Sequence, residues 1–133
     1  MHVEGKADIN SLPSNVTKYT FSRILKHIWE KKHFQNLYSN SKRIENDIVR
    51  VYYAPAFQEQ GRFAFIASKK VGNAVIRNKC RRRLKEVVRH NQYNIQEEFD
   101  MIIVAKKKLI TISYKESEQK IQQLLKKNRL LKN

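Results

Sequence analysis

The stretch Ser68–Arg89 reads SKKVGNAVIRNKCRRRLKEVVR and decides the fold. On a helical wheel at about 100° per residue, its apolar side chains fall in one stripe about a third of the circumference wide. The stripe consists of Ile76, Cys80, Leu84, Val87 and Val88. Gly72 and Asn73 punctuate the chain just before it. The pattern predicts an amphipathic helix over residues 74–90 whose apolar stripe faces a core.

The rest of this predicted helix is cationic. One row of cations repeats at i, i+4: Arg77, Arg81, Lys85 and Arg89. Such neighbours repel by a few tenths of a kcal/mol each, and only Glu86 offsets them. Arg83 borders the apolar stripe, and we expect its side chain to snorkel. A solvated basic face is the plain alternative, but the length, one-sidedness and Arg content favour a polyanion, because Arg binds phosphate in a bidentate manner.

Composition bounds the class of protein. The chain has 133 residues, which suits one domain, and 28 Lys and Arg against 12 Asp and Glu give a net charge of +16. Six Phe, six Tyr and one Trp indicate a folded core rather than a disordered polycation. The single cysteine excludes an intramolecular disulfide and suits the cytoplasm. No apolar run approaches the ~18 residues of a membrane helix, so the charge favours nucleic acid over a membrane surface.

The order of the predicted elements indicates an α+β fold. Residues 1–20 are predicted to form a flexible N-terminal extension, and residues 21–133 a single domain. Helical spacing runs from Phe21 to Tyr38, with a stop near Asn40. Strands are predicted at residues 47–53, 62–68 and 100–105, with a weakly signalled one at 40–46. Ser113 and Glu116 form a capping box before a terminal amphipathic helix.

Aromatic residues supply a second candidate surface. Alternation along the strand at 47–53 puts Tyr52 and Arg50 on one face, opposite the apolar positions. An aromatic ring beside an Arg on an exposed sheet face is typical of a platform for single-stranded nucleic acid, worth ~1–3 kcal/mol per stacked base. Phe34 and Tyr38 lie i, i+4 on the first helix. The alternative for both rings is simple packing in the core, and for Phe34 the two interpretations are equally favoured.

The segment Lys70–Glu86 resembles the RNR signature of the bacterial ribonuclease P protein subunit. It has small residues before the helix, then Arg77-Asn78, an apolar position and paired basic residues. Cys80 departs from the family, which usually has Ile, Leu or Val there, but a buried Cys behaves as a small hydrophobe. The similarity covers roughly residues 27–127.

The resemblance implies an αβββαβα two-layer sandwich with a small mixed sheet. It also implies a left-handed β-α-β crossover through the basic helix, an exception to the right-handed rule. In this family a catalytic RNA holds the active-site Mg²⁺ and removes the 5′ leader from precursor tRNA. The protein binds both RNAs and promotes cleavage. We therefore expect no catalytic residue, no tightly bound metal, no membrane contact and no required protein oligomer.

The resemblance also assigns residues. Those expected to face the catalytic RNA are Lys69, Lys70, Arg77, Asn78, Lys79, Arg81, Arg82 and Lys85. Arg89 continues their cationic row and joins the prediction. The leader cleft is expected to be lined by Phe34, Tyr38 and Tyr52, with Arg50 beside them.

Three other classes of protein share some of these features. A structural RNA-binding protein of ribosomal type shares the charge and mixed fold, but needs neither the signature nor a cleft. A DNA-binding regulator would place a partner helix and a short turn before its recognition helix, whereas here a strand and a loop come first. A self-sufficient protein nuclease lacks support, because the four His form no zinc pattern and no nucleophile, base and oxyanion hole assemble.

Overall fold

In the residues that the structure describes, five strands, two full α-helices and one 3₁₀ helix follow the end of an earlier helical segment or flank it. The computed structural model describes the backbone of residues 17–19 and, with side chains, residues 37, 39–56 and 61–132. The strands are β1 (Thr17–Tyr19), β2 (Lys42–Glu45), β3 (Val49–Pro55), β4 (Phe63–Ile66) and β5 (Phe99–Ala105). The helices are α1 (Ala74–Asn91), a 3₁₀ turn (Lys107–Thr111) and α2 (Tyr114–Lys127). Leu37, Ser39 and Asn40 are helical too, so this helix ends at the predicted stop.

The strands form one mixed sheet in the order β1-β4-β5-β3-β2. β4 and β5 are parallel neighbours, and every other pair is antiparallel. α1 connects the two parallel strands, because it lies between them in the chain. The predicted α+β class and small mixed sheet are confirmed. The hand of the connection stays a prediction.

The main core lies between one face of the sheet and the two helices. Cys80, Leu84, Val87 and Val88 of α1 are buried, which confirms the predicted stripe. They pack in one cluster with Val51, Phe65 and Ile103 of the sheet and with Ile121, Leu124 and Leu125 of α2. Cys80 is fully buried, as its place on the wheel predicts. Burial of these side chains contributes roughly 1.5–3 kcal/mol each.

The opposite face of the sheet carries a smaller apolar cluster. It consists of Leu37, Tyr52, Ala64, Ile66 and Ile102. Leu37 belongs to the helical segment before β2 and is only 4% exposed. Both faces of the sheet are therefore covered by helical residues.

Four elements differ from the sequence predictions. β1 lies within the predicted flexible extension and pairs antiparallel with β4, while residues 1–16 lie outside the described part. β2, only weakly signalled, is a full partner of β3. The 3₁₀ turn at Lys107–Thr111 was not predicted. β4 is also shorter than predicted, because Ser68 begins a turn in which its carbonyl oxygen accepts from the amide of Val71 at 3.0 Å.

Candidate nucleic-acid interface

The start of α1 is fixed by two neighbouring residues. Asn73 is the N-cap, and its Oδ1 accepts from the amide of Ile76 at 3.0 Å. Gly72 has φ 155°, a conformation that favours glycine, and a Cβ there would lie 2.9 Å from the side chain of Ile76. The turn between β4 and α1 therefore has one defined path. That path brings Lys69 and Lys70 beside the first turns of the helix.

A cluster of polar and cationic side chains lies on the turn before α1 and along the first half of that helix. We call it the basic surface, and it consists of Lys69, Lys70, Arg77, Asn78, Lys79, Arg81 and Arg82. Arg77 and Arg81 are half-buried and the other members are exposed. Arg81 donates to Oδ1 of Asn78, which fixes one guanidinium on the helix surface. The structure thus brings together seven of the nine residues predicted to face the catalytic RNA.

The basic surface has an excess of unpaired positive charge. In residues 37, 39–56 and 61–132, no carboxylate forms an ion pair with Lys69, Lys70, Arg77, Lys79 or Arg82. Several acidic residues of that part pair with other cations, as in Glu45–Arg50, Asp47–Lys108, Glu97–Lys132 and Asp100–Arg62. The partial positive charge of a helix N-terminus adds to the same region. This is the arrangement that binds phosphate groups.

The remaining two predicted residues lie further along α1 and have contacts within the chain. Arg89 forms a bidentate pair with Glu86, with Nε 3.1 Å from Oε2. Hydrogen bonding by Arg89 lowers the pKa of Glu86, and Glu86 in turn raises the pKa of Arg89. Arg89 is twelve residues beyond Arg77, or about 18 Å along the helix. Lys85 is half-buried and has contacts within the chain.

Arg83 is a structural side chain. Its Nη1 donates to the carbonyl oxygens of Leu109 and Ile112 at 2.8 and 2.6 Å, and to Oγ of Ser117 at 3.1 Å. The predicted position at the border of the core is correct. However, the guanidinium ends on protein acceptors rather than in solvent, and so joins α1 to the 3₁₀ turn and α2.

The predicted exposure of Tyr52 is wrong. Its ring is 3% exposed and packs with Leu37, Ala64 and Ile102. Alternation correctly placed Tyr52 and Arg50 on one face, but it could not show that a helical residue covers that face. Tyr52 is therefore a core side chain of the smaller apolar cluster. Burial lowers the pKa of Arg50, yet its hydrogen bond to the Tyr52 hydroxyl and the charge of Glu45 raise it more, so the net pKa is raised.

Arg43 is a candidate that the sequence reasoning missed. It is the cross-strand partner of Tyr52, just as Glu45 is the partner of Arg50. Arg43 and Arg50 therefore share the face of Tyr52, and both are half-buried. The signal that identifies Arg43 is the weakly predicted strand at 40–46, because alternation along it places Arg43 and Glu45 on the same face. Phe34 and Tyr38, predicted for the same cleft, lie outside the described residues.

Arg50 and the basic surface meet at one end of the sheet. Arg50 is the register partner of Val104, and Val104 is the partner of Ile66. Ile66 is the last residue of β4, and the chain then turns through Lys69 and Lys70 into α1. Two strand spacings, about 10 Å, separate Arg50 from Ile66 across the sheet. The two predicted surfaces are therefore neighbours.

The described residues contain neither a metal-binding cluster nor a helix that could cross a membrane. In that part of the chain, no three His, Cys, Asp or Glu side chains group in a way that could hold a metal ion. Likewise, none of its helices has the length and apolar character needed to cross a bilayer.

Comparison with known proteins identifies the family. The family model described as Ribonuclease P matches residues 21–129, which include the whole of α1 and the basic surface. The chain belongs to the ribonuclease P protein family. It is 34% identical over 102 residues to the ribonuclease P protein component of Fusobacterium nucleatum, covering 74% of this chain and 92% of that protein. It is 32% identical over 109 residues to that of Alkaliphilus oremlandii, covering 82% and 96%.

Solved structures of the family share the fold. The ribonuclease P protein of Staphylococcus aureus superimposes with a TM-score of 0.69 at 25% identity, over 77% of this chain and 94% of that one. The protein from Thermotoga maritima gives 0.69 at 24% identity, over 77% and 96%. The resemblance seen at Lys70–Glu86 thus extends to the family domain and its architecture.

Proposed function

We propose that this chain is the protein subunit of ribonuclease P. In this proposal it binds the catalytic RNA and the single-stranded 5′ leader of precursor tRNA. It thereby promotes the Mg²⁺-dependent cleavage that forms the mature 5′ end. The observation that carries the proposal is the basic surface, where five cations without ion pairs in the described part surround a capped helix N-terminus inside the family's signature.

The basic surface is the proposed contact with the catalytic RNA. Arg77, Arg81 and Arg82 offer planar guanidinium groups for phosphate oxygens, and Lys69 and Lys79 add point charges. The Nε of Arg77 is buried without a hydrogen-bond partner in the described part, an arrangement that is rare in folded proteins. Asn78, whose Oδ1 is occupied by Arg81, supplies a further donor.

The leader is proposed to cross the sheet face beside β2 and β3. Arg43 and Arg50 flank Tyr52 there, and they pair with phosphates or stack beneath unpaired bases. The buried Tyr52 lies on the same face as Arg50, and hydrogen bonding from its hydroxyl contributes to the raised pKa of Arg50. A leader on this face runs towards the end of the sheet at which β4 turns into the basic surface, so the two proposed RNA contacts lie at the same end of the sheet.

The chemistry of cleavage is assigned to the RNA partner. Mg²⁺ held by that RNA would activate water and stabilise the leaving oxygen. This chain contributes binding and orientation, because its basic side chains neutralise phosphate charge where the two RNAs approach each other. The proposed setting is the cytoplasm, and a second copy of the protein has no role in it.

A cleavage assay at low Mg²⁺ tests the proposal. A bacterial ribonuclease P RNA would be incubated with precursor tRNA, with and without this protein. We expect stimulated cleavage at the mature 5′ end, and a triple Arg77→Ala, Arg81→Ala, Arg82→Ala variant should lose most of that stimulation. Lys127→Ala, an exposed cation on α2, is the matched control and should stimulate normally.

The same assay distinguishes the proposed function from the alternative, a structural RNA-binding protein. Such a protein would bind RNA tightly without stimulating cleavage, and that result would overturn the proposal. The family match does not favour this alternative.

A further inference from the structure

A polar groove lies at the far end of α1 from the basic surface. Its volume is about 550 Å³, and it opens between the end of α1, the loop after it and α2. Five amide side chains and one cation line it: Asn91, Asn94, Gln119, Gln122, Gln123 and Lys126. Such a concentration of amides is unusual for a surface whose other polar residues are mostly charged.

One side of the groove is rigid. Asn91 is buried, and its Nδ2 donates to the carbonyl oxygen of Val87 at 2.7 Å and to Oε2 of Glu118 at 3.1 Å. Its Oδ1 accepts from Nε2 of Gln122 at 2.8 Å. Both amides are therefore held in fixed orientations by the packed helices.

The other side offers unused hydrogen-bonding groups. The side chains of Asn94, Gln119 and Gln123 are exposed and make no hydrogen bond within the described part of the chain. Gln119 and Gln123 are one turn apart on α2, and Lys126 follows three residues later on the same face. Lys126 is exposed as well and forms no ion pair with the described residues. Each free amide presents two donors and one acceptor oxygen.

This set of groups matches an unpaired nucleotide. Asn and Gln amides form paired hydrogen bonds with base edges, and a Lys beside them takes a phosphate. Tyr93, next to Asn94, is 63% exposed and offers a ring on which a base stacks. Leu131 adds an apolar patch to the lining. A peptide partner fits less well, because the groove is mostly amide and the chain already carries a surplus of positive charge.

The location decides which RNA occupies the groove. α1 has 18 residues and is about 27 Å long, so the groove and the basic surface are two separate contacts on one helix. Both lie in the helical layer, whereas Arg43 and Arg50 lie on the opposite face of the sheet. An RNA that follows α1 from the basic surface reaches the groove, but a leader on the other face does not.

We infer that this groove binds an unpaired nucleotide of the catalytic RNA, with its base on Gln119 and Gln123 and its phosphate on Lys126. The inference rests on the proposed function for the identity of the RNA. It adds a contact with hydrogen-bonding specificity to the charge-based contact at the basic surface.

Base-specific chemical probing of the assembled holoenzyme tests it. Dimethyl sulfate would be applied to the catalytic RNA alone, with wild-type protein, and with the double variant Gln119→Ala, Gln123→Ala. Ala is a strong helix former and these amides have no partners in the described part, so the variant should keep its thermal midpoint. We expect a few unpaired nucleotides to be protected by wild-type protein and exposed again with the variant, with Kd raised about three- to tenfold.

Two single variants provide the matched pair. Lys126→Ala should weaken binding and lower the slope of log K against log salt by about 0.7–0.9. Lys127→Ala removes the same charge one residue away, outside the groove, and should leave the protections in place.

Two outcomes overturn the inference. Unchanged protections in the double variant would show that the groove is empty in the complex. In parallel samples that also contain precursor tRNA, changes confined to that RNA would show that the occupant is the substrate. In both cases the wild-type protein still stimulates cleavage, whereas loss of the proposed function would appear as wild-type protein that neither protects the catalytic RNA nor stimulates it.

Discussion

Nη1 of Arg83 donates to the carbonyl oxygen of Leu109 at 2.8 Å, which ties the centre of the basic helix to the 3₁₀ turn after β5. The same nitrogen also reaches Ile112 and Ser117. The neighbouring Arg82 is exposed and makes no such bond to the residues that the structure describes. Two adjacent arginines of one motif therefore have separate tasks, one in the fold and one at the surface.

The first prediction separates these tasks. Arg83→Ala leaves several acceptors without their donor, so we expect the free energy of unfolding to fall by about 2 kcal/mol. Arg82→Ala should change it by no more than about 0.5 kcal/mol and should weaken RNA binding instead. Urea denaturation, together with RNA titration, would measure both quantities. Equal stability of the two variants would contradict a structural role for Arg83.

The second prediction concerns charge on α1. Arg77→Ala and Arg81→Ala should each weaken binding to the catalytic RNA and lower the salt slope by about 0.7–0.9 per lost phosphate contact. Arg89→Ala should change the slope less, because Glu86 already pairs with Arg89. Binding isotherms at several salt concentrations would give the three slopes. An unchanged slope for Arg77→Ala and Arg81→Ala would remove these residues from the interface.

The third prediction concerns Tyr52. Because the ring is buried, Tyr52→Ala should destabilise the fold by about 3 kcal/mol or more, so a loss of leader binding in this variant would not be specific. Tyr52→Phe keeps the ring and removes the hydroxyl that contributes to the raised pKa of Arg50. It should fold well, and it should bind leader-bearing precursor more weakly while binding mature tRNA normally. An equal loss for both RNAs would mean that Tyr52 has a structural role alone.

The fourth prediction tests Arg43 against its neighbour. Arg43→Ala should weaken binding of precursor tRNA but not of mature tRNA, because Arg43 lies opposite Tyr52 on the proposed leader path. Lys42 pairs with Tyr53, on the other face of β2, and is exposed. Lys42→Ala removes the same charge and should leave the difference between the two RNAs intact. Competition binding with both RNAs would show it, and identical effects of the two variants would contradict the leader path.

The fifth prediction is a pH dependence. Hydrogen bonds from Lys108 and Lys120 lower the pKa of Asp47 to about 2. A lowered pKa stabilises the fold at pH values above the unfolded pKa of about 4, and this contribution is lost as the pH falls towards 2. Asp47→Asn should therefore be less stable than wild type at pH 7, with the difference shrinking between about pH 4 and pH 2. Thermal midpoints across this range would test it, and a constant difference would contradict it.

The sequence predicted α1 almost residue by residue, because its apolar stripe has the helical period and Cys80 falls on it. It also predicted that Ser113 caps α2, where Oγ accepts from the amide of Glu116 at 3.1 Å. The exposure of Tyr52 could not be predicted in this way. A two-residue period assigns side chains to faces, while the cover over a face comes from residues distant in the chain, here Leu37.

The ion pairs between charged side chains could not be predicted from the sequence either. Arg89 belongs to the same i, i+4 row as Arg77, yet its pairing with Glu86 depends on the rotamers of both side chains. Arg43 gained significance only through its register opposite Tyr52. Ionic contacts between distant segments, such as Asp47 with Lys108 and Lys120, have no local signature in the sequence.

The central place of β5 in the sheet has a consequence for how the chain folds during synthesis. β3 and β4 are made before β5, but they are not neighbours, and β5, which lies between them in the sheet, is made only after the whole of α1. In the final sheet β3 and β4 lie about two strand spacings, or 10 Å, apart, and β5 fills that gap only after residue 105 has emerged. Non-local pairing of this kind slows folding, because loop closure precedes the contacts that stabilise it. A nascent chain ending before Phe99 therefore lacks the central strand of its sheet, and its most cationic segment is made before the strand that completes the sheet.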